Sequence, residues 1–143
     1  MEKNEIENKK KEPEIKSTIK INGEEVPIRC NLEIMAQLEE EFGTIMNFSE
    51  KLMHLNSSAG KESENILPDM RAITFALPKF VHEGIEYYNE KNAHSRQLEQ
   101  LLPSTVLRHC DDYVLDVALI LYKELWRSMA APKPQPPAET SQN

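Results

Sequence analysis

The sequence predicts a mostly α fold, a multi-helix bundle preceded by a short N-terminal β-hairpin. Three observations carry this. Two short alternating runs flank the dipeptide Asn22-Gly23, which suits a turn needing positive φ. Beyond residue 31, apolar residues recur at helical spacing over most of the chain. The longest apolar run, Tyr113 to Met129, is interrupted by Asp116, Lys123, Glu124 and Arg127, so it reads as a helix of a water-soluble fold and not as a membrane span.

The elements follow in order. Residues 1–16 mix Lys3, Lys9, Lys10, Lys11 and Lys16 with Glu2, Glu5, Glu7, Glu12 and Glu14. Few apolar anchors offset the entropy of ordering them, so a flexible charged arm is expected. Ser17 to Ile21 places Ile19 and Ile21 on one face of a first strand. Val26 to Cys30 places Val26, Ile28 and Cys30 on one face of a second. Pro27 removes a ladder donor, which makes that strand an edge or an irregular one.

Asn31 is a good N-cap for a helix from about Leu32 to Phe42, with Ile34, Leu38 and Phe42 in one stripe and Met35 beside it. Glu39, Glu40 and Glu41 then face solvent, and Gly43 is a natural C-cap. Asn47 is expected to cap a second helix through Leu55, with Phe48, Leu52 and Leu55 as its apolar side. Residues 56–64 read as an exposed loop. A third helix is expected from about Asn65 to Asn89, with Pro68 in its first turn. Its stripe of Ile66, Met70, Ile73, Leu77, Phe80, Val81, Ile85 and Tyr88 keeps phase across Pro78, which favours one kinked helix over two.

After a polar loop over residues 90–96, a short helix is expected from Arg96 to Leu102 and another from about Thr105 to His109. Asp111 or Asp112 would cap the last helix, which ends near Met129. That helix is apolar nearly all round, so it should be the central buried helix or be partly covered by a partner. Pro132, Pro134, Pro136 and Pro137 stop the fold near Ala131. The expected organisation is therefore an arm over 1–16, one helical domain over 17–130 and a disordered Pro-rich tail over 131–143.

Composition narrows the function. The formal net charge is −7, and since the arm is balanced, the charge lies on the folded part. A phosphate-backbone binder shows a basic patch instead, so nucleic acid is not an expected partner. No apolar leader of the secretory kind is visible near the N-terminus. Cys30 and Cys110, far apart and among apolar residues, read as free thiols in a reducing compartment.

Motifs for chemistry are weak. His109-Cys110-Asp111-Asp112 suggests a metal site on paper, but adjacent helical residues point about 100° apart. There is no C-x-x-C and no H-E-x-x-H spacing. There is no G-x-S-x-G, and the four glycines stand singly, so no phosphate-cradling loop is available. The Glu39-Glu40-Glu41 carboxylates lie on a solvated face, unlike the concave site that acid–base work requires. No catalytic, cofactor-binding or metal-ligating residue is expected, and an enzyme is the least favoured class.

Binding is the default class. Tyr87, Tyr88, Tyr122 and Trp126 are the candidate partner-binding residues, because Tyr and Trp are enriched in interfaces. Each has an ordinary structural reading too, with Tyr88 in the core stripe and Tyr87 at the surface. Met35, Met46, Met53 and Met70 fall on or near apolar faces and serve either as core filling or as an adaptable surface.

The stretch STIKINGEEVPIRCNLEIMAQLEEEFGTIMNFSEKL, Ser17 to Leu52, resembles the opening of tail assembly chaperones from long-tailed phages and prophages of Gram-positive bacteria. The shared features are a strand, a turn glycine, a second strand and a helix ending in Glu-Glu-Phe-Gly. The later elements follow the family plan as an order of elements from about residue 17 to 130. The resemblance implies binding of the tape measure protein, a very long helical chain, which is kept soluble while tube subunits polymerise around it. It also implies host cytoplasm as the location and absence from the mature virion. A longer form made by programmed frameshift would recruit the tail tube protein, and a chain ending in a Pro-rich tail looks like the short form. Two features depart from the family pattern: the length of the charged arm and Pro78 within a helix. The rival expectation is a small structural component of the phage tail or head–tail connector. Neither reading calls for a cofactor or a membrane, and both leave self-association open.

Overall fold

The computed structural model describes residues 17–53 and 67–130. The expectations for the arm, for Leu55, Asn65 and Ile66, for the loop over 56–64 and for the tail lie outside the described residues. The fold is mostly α, with an N-terminal hairpin. Strands β1 (Thr18–Ile21) and β2 (Glu24–Pro27) are antiparallel, with Ile19 opposite Val26. Asn22 and Gly23 take φ of 57° and 78°, the left-handed pair that a two-residue hairpin turn needs. Ile19 and Ile21 are buried, as alternation requires. Pro27 ends β2, and Ile28 and Cys30 continue its buried face beyond the ladder.

Helix α1 (Leu32–Phe42) begins where expected: Asn31 Oδ1 accepts the Ile34 amide at 2.8 Å. Gly43, at φ 92°, returns its amide to the Glu39 carbonyl. Helix α2 (Ile45–Met53) starts before Asn47. Thr44 does the capping, its Oγ1 accepting the Asn47 amide, while Asn47 Nδ2 donates to the Phe42 carbonyl. Asn47 thus closes the end of α1 instead of opening α2. Phe48 and Leu52 are buried on the apolar side of α2, and Phe42 packs its ring on Phe48 and Phe75.

Helix α3 (Met70–Lys91) runs through Pro78 as a single helix. It starts later than its periodicity suggested. Asp69 is its N-cap, accepting the Arg71 amide, and Pro68 lies before the helix instead of in its first turn. The core centres on α3, which packs on β2 and on all four other helices. Its buried side includes Ala76, Leu77, Phe80, Val81 and Ile85. At Gly84 the backbone of Pro27 and Ile28 comes so close that a Cβ would collide with it. The Arg29 amide then donates to the Phe80 carbonyl at 3.0 Å. The hairpin therefore rides directly on α3 at this glycine.

Residues 96–102 are not helical. Asn89 holds this segment along α3: its Oδ1 accepts the Leu98 amide and its Nδ2 donates to the Leu98 carbonyl. Gln100 donates to the His82 carbonyl and to Glu86. Pro103 disfavours helix at Leu102, and Leu102 is extended. Helix α4 (Pro103–His109) follows, with Val106 buried.

The segment after α4 joins the hairpin. Ile21 bridges to Cys110, the Asn22 amide donates to the His109 carbonyl, and the Asp111 amide donates to the Lys20 carbonyl. The two aspartates complete this clasp. Asp111 accepts the Gly23 amide at 2.6 Å and Asp112 the Lys20 amide at 3.0 Å. Neither caps helix α5 (Val114–Met129), whose N-cap is Tyr113 with no side-chain bond. The carboxylates are drawn to the Lys20 amide of β1 and the Gly23 amide of the turn, because backbone amides outside the hairpin ladder need acceptors as much as a helix start does.

Candidate partner-binding site

Helix α5 is not the central helix. One side packs on β1, α2 and α3 through Val117, Ala118, Leu121 and Leu125. The other side carries apolar residues to the surface: Leu115 is 55% exposed, Leu119 39% and Trp126 38%, with Tyr122 half-buried among them. Leu115, Leu119, Tyr122 and Trp126 are spaced 4, 3 and 4 apart. They therefore fall within one narrow stripe, in the spacing of the seam positions of a coiled coil. The Tyr122 and Trp126 rings meet edge-on at 6.1 Å between centroids. A preformed aromatic pair loses little entropy when a partner covers it.

The rotation of α5 that exposes this stripe is held by Glu124. Its carboxylate is 1% exposed. It accepts Ser17 Oγ at 2.8 Å, the Cys30 amide at 2.9 Å, and Arg127 Nε and Nη2 at 2.8 and 2.7 Å. Four donors satisfy the buried charge, as burial demands. The hydrogen bonds it donates to Glu124 raise the basicity of the Arg127 guanidinium further above its ordinary value, so the guanidinium stays charged. By composition alone Glu124 only interrupts an apolar run. The signal for it was its phase: Val117, Leu121 and Glu124 share a helical face. A carboxylate in core phase with arginine three residues on announces a buried carboxylate held by a partly exposed guanidinium.

The four sequence candidates separate. Tyr122 and Trp126 share the stripe. Tyr87 and Tyr88 belong to α3 and are not part of it. The Arg29 guanidinium lies 3.8 Å from the Tyr87 ring centroid and also pairs with Glu83 at 3.1 Å, so Tyr87 is occupied within the chain. Tyr88 is 36% exposed and not a core residue. Burial on α3 stops at Ile85, so the periodicity outlasts the surface that α3 packs on. Among the methionines, Met35 and Met53 pack against the core, whereas Met46 and Met70 are exposed.

A cleft of about 570 Å³ lies between Arg29–Leu32 and Met35 on one side and Arg127, Ser128 and Ala130 on the other. Its two arginines are already committed to Glu83 and Glu124. Burial pushes the Cys30 thiol on its wall up to about 11, which leaves it protonated and unreactive at neutral pH. Cys110 is raised in the same direction, again mainly by burial. Both cysteines are free. Among the described residues, no group of three or more His, Cys, Asp and Glu side chains is arranged to hold a metal ion. Among them, too, no helix is long and apolar enough to cross a membrane. Comparison with family models, with curated proteins and with solved structures finds no match to this chain.

Proposed function

We propose that the chain is a tail assembly chaperone of a long-tailed phage or prophage of Gram-positive bacteria, binding the tape measure protein in the host cytoplasm. The observation that carries this reading is the exposed stripe of Leu115, Leu119, Tyr122 and Trp126. A contiguous apolar row at helical spacing suits the amphipathic face of a client helix. The net charge of −7 keeps such a protein soluble while the row is uncovered. The order hairpin, helix ending in Glu-Glu-Phe-Gly, short helix, long helix and final apolar helix also supports it. The role is capture and release of a helical chain, with no reaction. A longer frameshifted form would add recruitment of the tail tube protein.

The experiment is capture of the tagged chain from cells making the particle, with identification of retained proteins by mass spectrometry. The reading expects a very long helical protein in the captured fraction and no copy of this chain in purified particles. Abundant copies in particles, with no such client captured, would replace it with the structural-component reading.

A further inference from the structure

We propose that, when no client covers it, the α5 stripe pairs with the same stripe of a second copy in an antiparallel, two-fold arrangement. The stripe has the spacing of alternating coiled-coil seam positions, with Leu115 and Tyr122 equivalent and Leu119 and Trp126 equivalent. Asp116 and Lys123 then occupy equivalent flanking positions one heptad apart, and both are exposed. The opposite flank is Ala118 and Leu125, buried against the body.

This pattern selects the partner. A two-fold axis perpendicular to the helices brings the exposed flank of one copy against the same flank of the other. Centred between Ile120 and Leu121, it sets Leu115 against Trp126 of the second copy and Leu119 against Tyr122 of the second copy, small against large at each contact. Asp116 of each copy then faces Lys123 of the other, so one attraction is made twice. A parallel pair would turn the charged flank towards the buried one and leave both charges unmatched. Charge at flanking positions sets orientation and partner choice in paired helices. A seam of one short helix per copy lies at the small end of specific interfaces, so the dimer dissociates in the micromolar range and yields the stripe to a client.

The test uses the purified full chain with no client, so its outcome is independent of whether the tape measure protein is captured. The chain contains one tryptophan, Trp126, so emission reports on the seam directly. Between about 1 and 100 µM, sedimentation equilibrium should show monomer converting to dimer as Trp126 emission shifts to the blue. Asp116→Lys and Lys123→Asp should each weaken the dimer by about tenfold, because symmetry counts each altered pair twice. The double variant should return to within about threefold of the parent. Circular dichroism checks that each variant is folded. Where a variant is not, the concentration dependence of the parent chain decides. A chain that stays monomeric throughout, or a double variant no tighter than the single ones, overturns the proposal.

Discussion

The carboxylate of Glu124 accepts the backbone amide of Cys30 at 2.9 Å, across 94 positions of chain. This bond ties the exit of the hairpin to the last helix. With Ser17 and Arg127 it fixes which side of α5 faces the core and which faces out. Replacing Glu124 with Ala leaves Arg127, the Ser17 hydroxyl and the Cys30 amide without their acceptor. Arg127 is 47% exposed and turns to water, so the loss comes from the stranded Cys30 amide and Ser17 hydroxyl and amounts to about 1–3 kcal/mol. Urea denaturation should show a loss of that order, and an unchanged midpoint would show the network to be energetically idle.

Gly84 sets two principles against each other. In a helix, Ala is better than Gly by about 1 kcal/mol. Here a Cβ would run into the backbone of Pro27 and Ile28, which has no side chain to swing away. The clash dominates, and Gly84→Ala should lower stability by about 2–3 kcal/mol after the propensity gain. A thermal melt of the variant gives the sign at once. A raised midpoint would mean that the hairpin does not ride on α3 at this residue.

Cys30 makes stability depend on pH in the alkaline range. Its pKa is 9.0 when free and about 11 in the fold. Between these values the folded form holds a proton that the unfolded form has lost, so raising the pH favours unfolding. Below pH 9 the contribution is flat. The loss by pH 11 amounts to about 2–3 kcal/mol. Cys30→Ala should therefore narrow its gap to the parent chain as pH rises from 9 to 11. A constant gap would contradict a buried, protonated thiol.

Asp111 and Asp112 should protect the hairpin locally. Each accepts an amide at the hairpin, from Gly23 and from Lys20. Both bonds are exposed, so each contributes about 1 kcal/mol or less. Asp111→Ala should speed hydrogen exchange at the Gly23 amide while leaving the core of α3 protected. Equal exchange at Gly23 in both chains would exclude the clasp.

What the sequence made legible is local. Asn22-Gly23, Asn31 and Gly43 act within four residues of their own positions, and each sits where its chemistry placed it. The misplaced features are those settled at long range. Asp111 and Asp112 suit a helix start but answer amides of the hairpin turn and of β1 some 90 positions earlier. Residues 96–102 carry helix-compatible side chains but are held out of a helix by bonds through Asn89 and Gln100. Tyr88 continues a core stripe past the end of the core. In the candidate site, apolar density marked α5, and Tyr122 and Trp126 were visible as interface types. Which side of the helix they occupy depended on Glu124, whose partners lie in the hairpin region and one turn along the helix.

Under the proposed function, the outward stripe of α5 captures a client helix. This capture is tested most directly by co-producing the tape measure protein with this chain and with its Leu119→Asp variant, and measuring the client in the soluble fraction. Leu119 is exposed, so the variant should fold as the parent does, by circular dichroism. Soluble client is expected with the parent chain, and at least a tenfold loss with the variant. A folded variant that keeps the client as soluble as the parent does would contradict it.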